Sequence, residues 1–240
     1  MKRFPEGIQK EKTRTKKALG SLTFGSESSS SSRPSPPLDK EREDSTTRDF
    51  LDRILISFQG LNLTIIPSTF EEKYDPKEYD NPGDFAIATA RGKAEEVAKR
   101  VRDDISNKFV VIGADTCISL ENQVFGKPKD HEDAFKMLSL FSDCSHNVVT
   151  GVSVLIQEGE TWNEISFCET TTVKFGKLVD EEIDAYIATG EPMDKAGGYG
   201  IQGLGGTLVE SIDGDYYNVM GFPLHRFCCH MAAAIEKVTS

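Results

Sequence analysis

Three carboxylates and three lysines fall where elements of this chain begin or end. Asp115 follows the apolar run Phe109-Val110-Val111-Ile112 and two small residues, so a buried strand would deliver it to its own end, the place where ligands bind in open α/β sheets. Glu71 and Glu72 follow a second strand-like run, Leu63-Thr64-Ile65-Ile66, which Pro67 closes. Lys93 flanks a helical stripe of small apolar residues, Lys127 stands in the rigid turn Gly126-Lys127-Pro128, and Lys195 opens a glycine-rich stretch. Lysines balance phosphate charge, while carboxylates hold a hard cation or activate water. Hydrolysis of a nucleoside polyphosphate needs that mixture. Each residue also has a plain structural reading: Asp often opens a turn, and helix lysines are commonly solvated.

The glycine-rich stretch contains Gly198-x-Gly200-x-x-Gly203, the letters of the dinucleotide-binding fingerprint. That fingerprint requires a strand before it and a helix after it. Here a polar turn precedes, and a strand from Thr207, turning back at Asp213-Gly214 as a hairpin to Tyr217, is expected to follow. The glycines instead suit close approach of backbone to a ligand. Tyr199 offers a stacking face and Gln202 an amide with donors and acceptors, a set fit for a flat base. His131, His146, His225 and His230 share no ligand spacing and read as surface or core residues. There is no Gly-x-Ser-x-Gly elbow and no Walker-type Gly-Lys-Ser/Thr.

Strands and helices alternate around these residues, which makes the class α/β. Phe50, Leu51, Ile54, Leu55 and Phe58 have helical spacing before Gly60. A long helix over Phe85–Ile105 carries Ala86, Ala90, Ala94, Val97 and Val101 on one face, and a second starts with Asp130 as N-cap. Val148–Ile156 reads as a strand interrupted at Thr150-Gly151, and Phe167–Phe175 alternates strictly. A short helix, Asp180–Thr189, ends before Gly190. Pro223 begins the last helix, with Leu224, Phe227, Met231 and Ile235 inward and the adjacent Cys228 and Cys229 expected in the core.

The 240 residues carry a net charge of −11 and 38% hydrophobic residues. The excess of acid argues against nucleic acid or a membrane surface as partner. No apolar run reaches the length of a membrane span, and five cysteines without repeated spacing suit a reducing compartment. A cytoplasmic protein is expected. Residues 1–49 differ from the rest: 11 Lys+Arg stand against 8 Asp+Glu, with Ser26–Ser32 nearly all serine and Pro34-Ser35-Pro36-Pro37 after it. They are expected to form a disordered tail before a domain spanning 50–240. A transit peptide is disfavoured by Glu6 and Glu11.

Together these stretches resemble the Maf family of nucleoside triphosphate pyrophosphatases. The resemblance runs through Pro67-Ser68-x-Phe70-Glu71-Glu72, Ala90-x-x-Lys93-Ala94, Gly113-Ala114-Asp115-Thr116, Lys127-Pro128, Thr150-Gly151, and above all Glu191-Pro192-x-Asp194-Lys195-Ala196-Gly197-Gly198-Tyr199-Gly200-Ile201-Gln202-Gly203. It implies a Maf/inosine-triphosphatase-like fold, an elongated mixed sheet with flanking helices and a cleft between two lobes. It implies hydrolysis of dTTP or UTP, with CTP or modified nucleotides open, to the monophosphate and pyrophosphate with Mg or Mn. Asp115 would accept the proton and, with Glu72 or Glu71, serve the metal. Lys93, Lys127 and Lys195 would surround the triphosphate, and Thr116 and Gln202, beside Tyr199, would bear on base choice. A homodimer is left open. The family's opening strand and Ser-x-Arg-Arg phosphate loop align with residues 40–51, where Phe50 and Leu51 replace the arginines and Arg48 and Arg53 stand nearby. The sequence therefore leads one to expect a missing first strand and a bare sheet edge. The alternative to an enzyme is a nucleotide-binding or regulatory protein with impaired catalysis.

Overall fold

A computed structural model of the chain describes residues 21–25, 62–101, 109–158 and 161–239. Its strands are β1 (Ser21–Gly25), β2 (Asn62–Ile66), β3 (Phe109–Leu120), β4 (Gln123–Phe125), β5 (Ser145–Glu158), β6 (Thr161–Phe175) and β7 (Val209–Asp213). They form one sheet in the order β2-β1-β3-β5-β6-β7, with β4 on β3. Helices α1 (Pro82–Val101), α2 (His131–Phe141), α3 (Asp180–Ala188), α4 (Tyr216–Met220) and α5 (Leu224–Thr239) flank it. The α/β class and flanking helices are as expected. The pairing is not mixed: every described pair is antiparallel.

The expectation of a missing first strand needs correction. Ser21–Gly25, assigned above to the disordered tail, lies antiparallel between β2 and β3, with Leu22 opposite both Ile65 and Ile112. A Leu-Thr-Phe core between Gly20 and Gly25 is a short but sound strand signal, and two strand edges with free backbone groups give it ladders on both sides. The polar composition around it hid the signal. The helical spacing of Phe50–Phe58, Arg48, Arg53 and the Ser-x-Arg-Arg register fall outside the described residues.

Helix α1 lies unusually close to the sheet because two strand glycines admit it. A Cβ on Gly113 would stand 2.3 Å from the Ala90 carbonyl oxygen, and one on Gly151 would stand 2.3 Å from Ala86 backbone. Ala86, Ala90, Ala94 and Val97 are fully buried in that seam. Close packing of this kind also explains why Thr150-Gly151 does not interrupt β5, which runs unbroken over 14 residues. The glycine there serves the neighbouring helix. Asn81 caps α1 by accepting from the Asp84 amide at 3.0 Å, and Asp130 caps α2 by accepting from Asp133 at 2.8 Å.

The main core gathers Phe141 and Leu138 of α2, Ile183 and Tyr186 of α3, and Ile118, Val148, Val173 and Phe175 of the sheet. A second cluster joins Phe222 and Phe227 to Val152, Val154 and Phe167. On α5, Phe227 and Met231 turn inward as expected, and helical rotation carries Cys228 and Cys229 outward, both exposed rather than packed. The hairpin expected over Thr207–Tyr217 does not form. β7 pairs with β6, and Gly214 (φ +128°) turns the chain into α4, capped by Asp215, which accepts from Tyr217 N at 2.8 Å. No described helix is long and apolar enough to cross a membrane.

Candidate active site

Strand β3 is paired on one edge all along its middle by β5, from Val110 to Ser119. On the other edge β1 covers only Phe109–Ile112 and β4 only Ile118–Leu120. Among the described residues, Gly113–Cys117 have no strand partner there. Ala114–Ile118 line a cleft of about 860 Å³ that opens along this gap, a size suited to a nucleotide.

Side chains alternate across a sheet, so neighbours in the gap reach the cleft from opposite faces. Asp115 turns toward α1, and its cross-strand partner Gly151 lies under Ala86. Lys93 Nζ lies 2.5 Å from Asp115 Oδ1 and 3.0 Å from Glu72 Oε1, and only 3% of the lysine side chain is exposed. Burial raises the Asp115 carboxyl above its ordinary pKa; Lys93 opposes that rise and Glu72 adds to it. Burial alone would lower Lys93, but Asp115 and Glu72 outweigh it and hold the ammonium charged. The set is a lysine clamped between two acids at an open strand edge.

Thr116 turns the other way. Its Oγ1 lies 2.9 Å from Thr150 Oγ1, and Thr150 donates to the Asn218 carbonyl at 3.2 Å. Asn218 is fully buried, and its amide donates to Val148 O and Thr171 Oγ1, each at 3.0 Å, fastening α4 to the sheet. Val219, Met220 and Gly221 complete this side of the cleft.

The opposite wall comes from two turns that one hydrogen bond joins. Gly197 N donates to Gly126 O at 2.8 Å, so Lys127 and Lys195 line the cleft from two joined turns. Lys195 pairs with Asp194 at 2.6 Å. Lys127 is exposed as a residue, yet burial around its amine holds it below the usual lysine range; Glu72 opposes that fall and the Lys93 charge adds to it. Gln202 also lines the cleft, on a loop held by Glu191. That carboxylate accepts from Tyr186 Oη at 2.9 Å, Leu204 N at 2.9 Å and Gly205 N at 3.0 Å.

The structure thus brings together Lys93, Asp115, Thr116, Lys127, Lys195, Gln202 and Glu72. Two expected members stand apart. Glu71 is exposed, pairs with Lys73 and does not line the cleft, whereas its neighbour Glu72 does. Tyr199 reaches the cleft wall but is only 5% exposed. Its hydroxyl meets His146 Nε2 at 2.8 Å and its ring packs on Phe175, so it shapes the loop and offers no open face for stacking. Sequence reasoning missed Glu191 and Asp194 as organisers of the glycine-rich wall. The acids inside that motif were the available signal.

A family model described as Maf-like protein matches residues 45–234. The chain belongs to the Maf-like family. Among curated Maf-like relatives, the dTTP/UTP pyrophosphatase of Thermococcus onnurineus is 48% identical over 177 residues, covering 74% of this chain and 86% of its own length. The dTTP/UTP pyrophosphatase of Clostridium novyi is 44% identical over 185 residues, 75% of this chain and 87% of its own. A human probable bifunctional dTTP/UTP pyrophosphatase/methyltransferase protein is 45% identical over 179 residues, 72% of this chain but 29% of its own length. The chain therefore matches under a third of that human protein.

Proposed function

We propose that this Maf-like chain hydrolyses nucleoside triphosphates between the α and β phosphates, with dTTP and UTP as substrates. The observation that carries the reading is the Lys93 ammonium held between Asp115 and Glu72 at the open edge of β3, facing Lys127 and Lys195. The names of relatives that align over most of their own length support the choice of nucleotide.

Asp115 takes the proton of the attacking water. A carboxyl raised by burial is a stronger base than an ordinary aspartate, and the Lys93 ammonium beside it opposes that rise and favours the carboxylate. Lys127 and Lys195 neutralise phosphate oxygens from the other wall. Gln202 supplies one donor and one acceptor, the pattern that complements the edge of uracil or thymine.

A divalent cation fits the donors. Among the described residues no group of three His, Cys, Asp or Glu forms a closed site. Mg²⁺ and Mn²⁺ need no such cage, since one or two carboxylates plus substrate phosphates suffice. Glu72 and Asp115 converge on one cationic group already and would hold the ion. It would supply charge neutralisation on the phosphates when bound.

The test is release of pyrophosphate and monophosphate from a panel of dTTP, UTP, CTP, GTP and ATP with Mg²⁺ or Mn²⁺. Turnover of dTTP and UTP above the purines is expected. Binding without turnover of any member would reject hydrolysis and favour a nucleotide-binding role.

A further inference from the structure

Between β2 and α1 the chain has no regular structure save the single turn Pro76–Glu78, and Glu71–Asp75 are all exposed. Yet Glu72, Tyr74 and Pro76 form one wall of the cleft. Ring contacts run from Phe70 to Tyr74, Tyr79 and Phe85 along the segment, but they leave its N-terminal part, where Glu72 stands, to be placed by what holds residues 67–70.

Helix α1 holds them one turn beyond Lys93. Glu96 Oε2 accepts from Ser68 Oγ and from Thr69 N, each at 2.9 Å, and Oε1 accepts from Thr69 Oγ1 at 2.8 Å. Arg100, a further turn along, pairs with Glu96 at 2.6 Å and donates to Pro67 O at 2.7 Å. Ser68 Oγ also accepts from Phe70 N at 3.1 Å, turning the chain back on itself. The tip of the Phe70 ring then lies against Gly92, where a Cβ would come within 2.4 Å of it. Residues 67–70 are thereby fixed to three successive stations on the helix that carries Lys93, and Glu72 follows two residues later.

We propose that Glu96 is a positioning residue. It touches no part of the cleft, and by holding Ser68 and Thr69 it sets where Glu72 meets Lys93. The inference rests on the reading of this cleft as a triphosphate hydrolase site. A residue acting at one remove from a charged ligand commonly changes activity about 10–100-fold when lost.

The experiment compares the intact chain with Glu96→Ala, Glu96→Gln, Glu72→Ala and the double variant Glu96→Ala/Glu72→Ala. Glu95→Ala serves as control, since that neighbour is exposed and faces Lys99. Two quantities are read: kcat/KM for UTP with Mg²⁺, and amide hydrogen exchange of residues 68–72 against β3. Glu96→Ala should lower kcat/KM by about 10–100-fold and speed exchange at Thr69 and its neighbours while leaving β3 protected. Glu96→Gln, which retains one acceptor oxygen, should recover most of both. In the Glu72→Ala background the loss of Glu96 should cost less than about twofold, because the two act through one contact. An equal loss in both backgrounds would mark Glu96 as a general stabiliser, and unchanged exchange at residues 68–72 would remove the anchor altogether. If no nucleotide is hydrolysed by the unaltered chain, the hydrolytic reading falls, and the exchange comparison still decides whether Glu96 holds the segment.

Discussion

Asp115 joins two requirements that usually conflict: a base must be ionised, and burial opposes ionisation. Lys93 at 2.5 Å opposes the effect of burial on Asp115, and Asp115 with Glu72 keeps the lysine charged in turn. Asp115→Asn keeps the shape and removes the base. Single-turnover and steady-state assays on UTP should show kcat reduced by about 10²–10⁴ with nucleotide affinity changed far less. Near-normal kcat in that variant would take Asp115 out of the proton transfer. At this scale the residue types were informative, because Asp, Lys and Gln carry their chemistry with them, but the expected position was not: Asp115 lies in the middle of β3 rather than at its end, at the stretch between β1 and β4, and Lys93 lies in the middle of α1. It failed for Glu71 and Tyr199. Which of two adjacent acids faces a cleft depends on the twist of an irregular segment, and whether a tyrosine stacks or packs depends on a His146 that is 53 residues away.

At the level of elements, the seam between α1 and the sheet sets the Lys93–Asp115 distance. Gly151→Ala places a methyl against Ala86 backbone, and the helix must give way. Overpacking of this sort costs about 1–3 kcal/mol. A Tm lower by roughly 2–12 °C is therefore expected, at about 2–4 °C per kcal/mol for a chain of this size. Activity should fall with it as Lys93 moves. Gly126→Ala, where the added carbon meets nothing within 4 Å, is the control and should leave Tm within about 1–2 °C. Strand β1 makes a second case. Removing residues 1–25 would strip β2 and β3 of their shared partner and expose two backbone edges, an aggregation hazard. Light scattering on heating should rise earlier in the truncated chain, and an unchanged Tm with no added scattering would show that Ser21–Gly25 does not complete the sheet. Helix α1, β3 and the cap at Asp130 were legible from periodicity and capping chemistry. β1 was not, because a five-residue strand in a serine-rich neighbourhood owes its existence to the edges waiting for it.

For the whole molecule, the buried ring of His146 is a built-in sensitivity to acid. It is 2% exposed, packs against Phe141 and Phe175, and burial lowers its pKa to about 4 from an ordinary value of 6.5. The unfolded chain takes up this proton as pH falls through 6.5, while the folded chain resists until about 4. The stability is therefore fully present above 6.5 and drains away between those values. From pH 7 to pH 5 the loss is about 2 kcal/mol at 1.36 kcal/mol per pKa unit. Urea midpoints at several pH values should trace that slope, and His146→Gln should flatten it. A parallel slope in the variant would assign the acid sensitivity to other groups. The sequence placed His146 among surface or core residues without deciding between them, since a lone histidine in a strand carries no mark of which side it faces.

The gap along β3 also governs which kinds of mutation this chain tolerates. Asp115 and Thr116 serve opposite faces of one strand, and ten consecutive residues of β3 are locked in register with β5. A substitution in the strand perturbs one of those positions. Losing or gaining a single residue between Phe109 and Asp115 would instead exchange the faces, sending the acid toward α4 and the hydroxyl toward Lys93. Length changes here act as a switch with no intermediate setting. The two-residue turn Glu121-Asn122, where both residues have positive φ, can change length without inverting anything upstream. Among natural variants of this chain, insertions and deletions should collect at such turns and be absent between Phe109 and Thr116.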